Sequence, residues 1–223
     1  MTDATFNKIG EGLSFDGAHV AFWGAWGTET RTITLLCPTS GNKDLIADCK
    51  KLYPNGFTTT EPVNQGIFVT DRGGNTVLVA RTGENSISNF LYWAFSGEPS
   101  GTGSGETEVT EPARWRSSAF TALSSEGVGY EVAFKATKSD GTQGIYEAGT
   151  GPTPPLTPVV DTTMDGAEID SDVNALNSPT PLMATSVGIE RDGFRAGNLA
   201  VSVAMANADA SVSWAGLYMT TIR

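Results

Sequence analysis

The sequence predicts an all-β protein made of repeated small antiparallel sheets, on three observations. The stretch Gly127 to Tyr146, GVGYEVAFKATKSDGTQGIY, pairs Val132-Ala133-Phe134 with Gly144-Ile145-Tyr146. Looser copies lie on either side: Val20-Ala21-Phe22 with Gly66-Ile67-Phe68, and Leu199-Ala200-Val201 with Gly216-Leu217-Tyr218. Each copy opens on a turn, at Phe15-Asp16-Gly17, Ser125-Glu126-Gly127 and Arg191-Asp192-Gly193, so the unit reads turn, apolar strand, loop, glycine, apolar strand.

Composition agrees. A chain of 223 residues with 39% apolar residues, 26 glycines and 11 prolines suits many short strands joined by turns, and it is long enough for one domain with a substantial core. The reading is a single domain over 1–223, with repeats at about 10–84, 118–162 and 185–223. The net charge of −11 repels phosphate backbones and anionic lipid surfaces, which excludes nucleic acid as the expected partner.

In chain order, Thr5 to Ile9 is a short alternating end piece, and Ala18 to Trp26 is a well-buried strand. Thr30 to Cys37 alternates and is expected to be its hairpin partner. An insertion over 38–64 follows, in which Asp44 to Lys51 has room for one or two helical turns. Gln65 to Thr70 and Thr76 to Thr82 flank Asp71-Arg72-Gly73-Gly74-Asn75, a hairpin turn whose glycines and asparagine tolerate positive φ. Phe90 to Phe95 is an apolar run of strand length, and the Gly/Ser/Thr/Glu-rich stretch 97–111 is expected to be a mobile loop.

Leu156 to Val160 corresponds to Thr76 to Val79, so the first two copies carry a third strand, whereas the last copy ends on Tyr218 to Ile222 without one. The N-terminal Phe6 to Ile9 is expected to fill that gap and close the last repeat.

Turn, Val-Ala-Phe, loop, Gly-Ile-Tyr, loop and apolar strand together resemble the tandem repeats of secreted bacterial proteins with β-propeller-like blades. The resemblance covers Gly12 to Ala25, Gln65 to Gly83, Leu123 to Thr162 and Ser186 to Met219. It implies a propeller-like fold and no active site. Because three copies fall short of the usual blade number, the alternatives are a hidden fourth blade, a ring completed by a second chain, or a threefold β-prism-like fold.

Cys37 and Cys49 stand twelve positions apart in one polar segment, which suits a disulfide closing a surface loop; two unpaired thiols are the alternative. With no basic and apolar leader at Met1 to Ala4, the expectation is an extracellular or periplasmic protein trimmed of its signal, or else a cytosolic one. No run is long and apolar enough to span a bilayer.

Histidine occurs once, at His19, which removes most triad and multi-histidine zinc templates. No phosphate-binding or dinucleotide-binding glycine loop is present. Between Lys138 and Arg191 there is no cation, and Asp161, Asp165, Asp170 and Asp172 offer oxygen donors of the kind calcium takes, although their spacing departs from the EF-hand pattern. A solvated acidic face is the plainer reading, and calcium is the one cofactor considered.

The aromatic residues are more suggestive, since Trp23, Trp26 and Trp115 lie near repeats or their junctions and suit stacking on sugar faces. Arg114 and Arg116 flank Trp115 and point opposite to it on a strand. Glu190 and Arg191, at a repeat turn, complete the candidate ligand-binding set; core packing is the alternative for each tryptophan. These residues support a non-enzymatic binding module for a carbohydrate or a surface protein. The alternatives are a carboxylate-dependent enzyme on a glycan or small metabolite, and a self-assembling structural protein, with a homo-oligomer as partner.

Overall fold

The structure is a computed structural model that describes residues 5–10, 12–39, 41–97, 113–126, 129–151 and 154–222. In chain order the strands are β1 (Phe6–Ile9), β2 (Ser14–Phe15), β3 (His19–Trp26), β4 (Thr30–Leu35), β5 (Phe57–Pro62), β6 (Gln65–Asp71), β7 (Thr76–Arg81), β8 (Ile87–Asn89) and β9 (Tyr92–Ser96). They continue with β10 (Arg114–Ser118), β11 (Thr121–Glu126), β12 (Gly129–Lys138), β13 (Gln143–Ala148), β14 (Thr157–Asp161), β15 (Met183–Gly188), β16 (Phe194–Arg195), β17 (Asn198–Ala206) and β18 (Ser213–Thr221). Helix α1 spans Lys43–Leu52, α2 spans Gly166–Ile169, and a 3₁₀ helix covers Ser171–Leu176. The protein is therefore all-β, in several small antiparallel sheets.

The single domain expected from length divides into two compact units. The larger comprises Met1–Gly27, Asn64–Phe90 and Ala119–Arg223, and the smaller Thr28–Val63 and Leu91–Ser118. The smaller unit is thus written into the chain as two insertions, one between β3 and β6 and one between β8 and β11. Phe90 and Leu91, neighbours in one apolar run, fall on opposite sides of this division. The loop expected over 97–111 lies outside the described residues apart from Gly97.

Three sheets make the larger unit, and all follow one plan. A first strand in two pieces (β1 and β2, β8 and β11, β15 and β16) flanks a long central strand (β3, β12, β17), which pairs on its other side with a third strand (β6, β13, β18). In the first two sheets a fourth strand follows, β7 and β14. The registers coincide: Phe22 faces Phe68, Phe134 faces Tyr146 and Val201 faces Tyr218, while Gly66, Gly144 and Gly216 each lie two pairs further along. Even the irregularity recurs, between Ile67 and Phe68 and between Ile145 and Tyr146.

The glycine of each copy has a steric cause. Residues two apart on a strand share a face, so the aromatic ring at position three of Gly-x-aromatic lies back over the glycine. A Cβ on Gly144 would sit 2.7 Å from the Tyr146 hydroxyl, and one on Gly216 2.6 Å from the Tyr218 ring. At Gly66 the obstruction is Leu78 at 2.7 Å, with the Phe68 ring at 3.2 Å.

Phe6 to Ile9 does not close the last repeat. It pairs with β3 in the first sheet, with Phe6 opposite Trp26 and Ile9 opposite Gly24. The reason is a vacancy made by Gly24, where the Phe6 ring enters and meets Phe68 edge-on at 4.7 Å and Phe22 at 5.6 Å. Thr30 to Leu35 is likewise not the hairpin partner of β3. Both edges of β3 are taken, by β1 with β2 and by β6, and β4 pairs with β5 instead.

The second and third sheets pack face to face. Ala133, Ile145 and Val160 from one side meet Leu199, Val201, Val203 and Met205 from the other, with Val173 and Leu182 filling the margin. Full burial of such a side chain stabilises by about 1.5–3 kcal/mol, so this layer is a main source of stability. β17 alternates strictly, with Leu199, Val201, Val203 and Met205 inward and Asn198, Ala200 and Ser202 outward, which is the pattern of a sheet covered on one face.

The first strands of the three sheets are joined by buried hydroxyls. Ser14, 1% exposed, accepts from the backbone N–H of Leu123 at 2.9 Å and donates to the carbonyl of Arg191 at 2.7 Å, linking β2 through one oxygen to β11 and to the turn between β15 and β16. Thr121 donates to the Gly12 carbonyl, and Ser124 accepts from the Gly197 N–H. Ser14→Ala strands the buried N–H of Leu123, at about 1–3 kcal/mol, and removes the donor to the part-buried Arg191 carbonyl. The expected outcome is a loss of about 2–4 kcal/mol in urea unfolding followed by tryptophan fluorescence.

Candidate functional site

Within the larger unit the expected ligand residues are not gathered. Trp23 is core, its indole N–H donating to the fully buried Gln65 at 3.1 Å. Trp26 stands edge-on to Phe68 at 5.7 Å. Glu190 and Arg191 are exposed turn residues whose backbone carbonyls accept from Gly193 and Ser14 respectively, and the Arg191 side chain lies 3.6 Å from the Asp192 carboxylate.

The four aspartates considered for calcium are employed as local caps. Asp161 accepts from the backbone and hydroxyl of Thr163, and Asp165 caps α2 through the Ala167 N–H. Asp170 caps the 3₁₀ helix through the N–H of Asp172 and also accepts from the Trp214 indole at 3.1 Å and the Tyr218 hydroxyl at 2.9 Å. These bonds hold the Asp170 carboxyl below its ordinary value, the Asp172 N–H first among them. Among the described residues no three metal-ligating side chains come together.

His19 opens β3 and closes the turn that precedes it. Its ring lies 3.2 Å from Asp16, which also accepts from the N–H groups of Ala18 and His19. Burial acts to raise the Asp16 carboxyl, and these hydrogen bonds outweigh it, so the group sits below its usual range.

The smaller unit holds a groove. Its two-stranded pairs β4–β5 and β9–β10 are antiparallel, with Arg31 opposite Glu61 and Trp115 opposite Phe95. Glu61, 1% exposed, receives Arg31 through Nε at 2.9 Å and Nη2 at 2.7 Å, and its other oxygen accepts the Trp93 indole N–H at 2.8 Å. A buried carboxylate is tolerable because the fork of Arg31 neutralises it. Its further effect is to fix the Trp93 ring.

Helix α1 is started by Asn42, which accepts from the N–H groups of Asp44 and Leu45, and Lys50 and Lys51 suit its C-terminal end. Cys49 on this helix is buried and bonded to Cys37, so the expected disulfide is present. Leu45, Ile46, Trp93, Ala94, Phe95, Trp115, Leu36, Pro38 and Asn42 enclose an open groove of about 400 Å³. Leu36 is 72% exposed on its rim. Trp115 packs edge-on to Phe95 at 5.7 Å, and its indole nitrogen is a buried donor with no partner among the described residues.

Of the expected ligand residues, Trp115 alone lines this groove; Arg114 and Arg116 are its strand neighbours. Leu45 and Ile46 escape sequence reasoning because they sit in a polar insertion, and Leu36 because it ends a segment read as a strand. The signal was the apolar face Leu45, Ile46, Cys49 of a short helix.

Comparison with protein-family models, curated proteins and solved structures finds no match. Among the described residues no helix is long and apolar enough to cross a membrane.

A carboxylate pair also comes together on the second sheet. Ala133 faces Glu147, and Glu131 is two residues from Ala133 on the same face. Burial first and the Glu131 charge second push the Glu147 carboxyl up. A carboxyl raised on folding costs stability as pH rises through its folded value, so Glu147→Gln is expected to raise the melting temperature at pH 7 and to change nothing below about pH 4. Asp16 acts in the opposite sense, its contribution being present above its unfolded value of 3.8 and lost as pH falls. Thermal melts of both chains across this range check the sign.

Removing the disulfide by Cys37→Ser with Cys49→Ser is expected to cost about 3 kcal/mol by loop-closure arguments. The loss is to be read as increased protease cleavage within 28–63.

Proposed function

We propose that the chain is a non-enzymatic binding module, exported to an oxidising compartment, whose ligand seats in the groove between α1, Trp93 and Trp115. The observation that carries this reading is the groove itself: its lining is mostly apolar, Trp93 is held by the Glu61 and Arg31 network, and Trp115 brings a buried donor without an acceptor among the described residues. Rigid aromatic walls with few polar groups are what apolar anchor residues of a partner protein need. Asn42, the one amide side chain among the described lining residues, is already occupied in capping α1. A surface protein therefore fits better than a carbohydrate, which asks for several convergent hydrogen-bonding groups. The disulfide supports export.

The three sheets of the larger unit are read as propeller-like blades, on the strength of their common register and of the packing of the second sheet on the third.

The test is selection of a random peptide library displayed on phage, alongside a glycan array. The expected result is enrichment of peptides with one or two large apolar anchors. Leu36→Asp, a change at an exposed rim position, is expected to weaken the selected peptide roughly a hundredfold, about 2.7 kcal/mol, with an unchanged melting temperature. Retention of glycans instead of peptides, or peptide binding indifferent to Leu36→Asp, removes the reading.

A further inference from the structure

The third sheet leaves open a face that its siblings bury. The common register makes Ile67, Ile145 and Leu217 equivalent, each following the repeat glycine. Ile67 and Ile145 are 0% exposed, whereas Leu217 is 86% exposed. Ala21 and Ala133 are likewise fully buried, and their counterpart Ala200 is exposed. In the second sheet this face is covered by the apolar side of another sheet of the same plan.

The open face also differs from the rest of the surface in charge. Strands β15, β17 and β18 carry no Asp, Glu, Lys or Arg, in a chain of net charge −11. Arg195 on β16 is the sheet's one charge, and it pairs with Asp192 at 3.1 Å. The outward residues combine two large side chains, Leu217 and Met219 on β18, with small ones, Ala200, Ser202 and Ala204 on β17, directly opposite them across the pair or beside them. Long uncharged strands of this kind are what soluble proteins avoid exposing unless something covers them.

We infer that this outer face of the third sheet binds the same face of a second copy, giving a twofold dimer in which two sheets stack. An isologous contact demands self-complementarity, and Leu217 and Met219 of one copy fit over the alanines and serine of the other. The partner is a second copy because two strongly acidic chains can approach without opposing charges at an uncharged face, and this one supplies both the projections and the recesses. The contact is separate from the groove of the smaller unit.

Sedimentation equilibrium of the full chain from about 1 to 100 µM tests this, with Leu217→Lys and Ala200→Glu as variants. Both positions are exposed, and an unchanged circular dichroism melt confirms folding. The expected result is a dimer whose population rises with concentration, reduced at least roughly tenfold in affinity by either variant and untouched by Leu36→Asp. A wild type that is monomeric throughout, as for a face serving a different chain, overturns the inference. So does a dimer that survives Ala200→Glu, since that points to pairing along the β18 edge and not to stacked faces.

Discussion

One buried hydroxyl group is the constraint on which the larger unit depends. Ser14 stands where the first strands of three sheets converge, and its oxygen satisfies a backbone donor of one neighbour and a backbone acceptor of the other. The three sheets cannot shift independently without leaving one of those groups unpaired away from water. The residues around it are small for the same reason: Ser14 faces Ala21, Ala122 faces Ala133, and the Gly193 carbonyl accepts from Ala200. The alanine that recurs in the two Val-Ala-Phe copies, Ala21 and Ala133, is thus a requirement of close approach between strands.

Much of this architecture was legible in the residues. The three copies are real structural equivalents down to the pairing of single positions, because Gly-x-aromatic encodes a ring folded over a glycine, a local arrangement that needs no distant partner to be recognised. The Asp71 to Asn75 hairpin was legible for a similar reason: Gly74 has φ +81°, and Asp71 accepts from the Asn75 backbone.

What escaped was long-range pairing. Nothing in Phe-Asn-Lys-Ile says which sheet edge it joins; the choice is made by the space over Gly24, which only the folded strand creates. Thr30 to Leu35 alternates as a partner of β3 would, but sequence gives no sign that both edges of β3 are filled. The candidate site was harder still. Tryptophan and aspartate draw attention by type, yet Trp23 is core, Asp165 and Asp170 are caps, and the groove owes more to Leu36, Leu45 and Ile46. Residue type marks what a side chain is capable of, and burial decides which capability is used.

The way the smaller unit is threaded into the chain has a consequence for synthesis. Residues 28–63 leave the ribosome well before residues 91–118, and the last two strands of the first sheet, β6 and β7, are made in between. During that interval Leu36, Leu45 and Ile46 lack the aromatic wall that Trp93, Phe95 and Trp115 later provide. The bond between Cys37 and Cys49 joins residues only 12 apart, so it needs nothing downstream to form. In an oxidising compartment it holds the half-built pocket in shape while the remainder of its walls are still being translated.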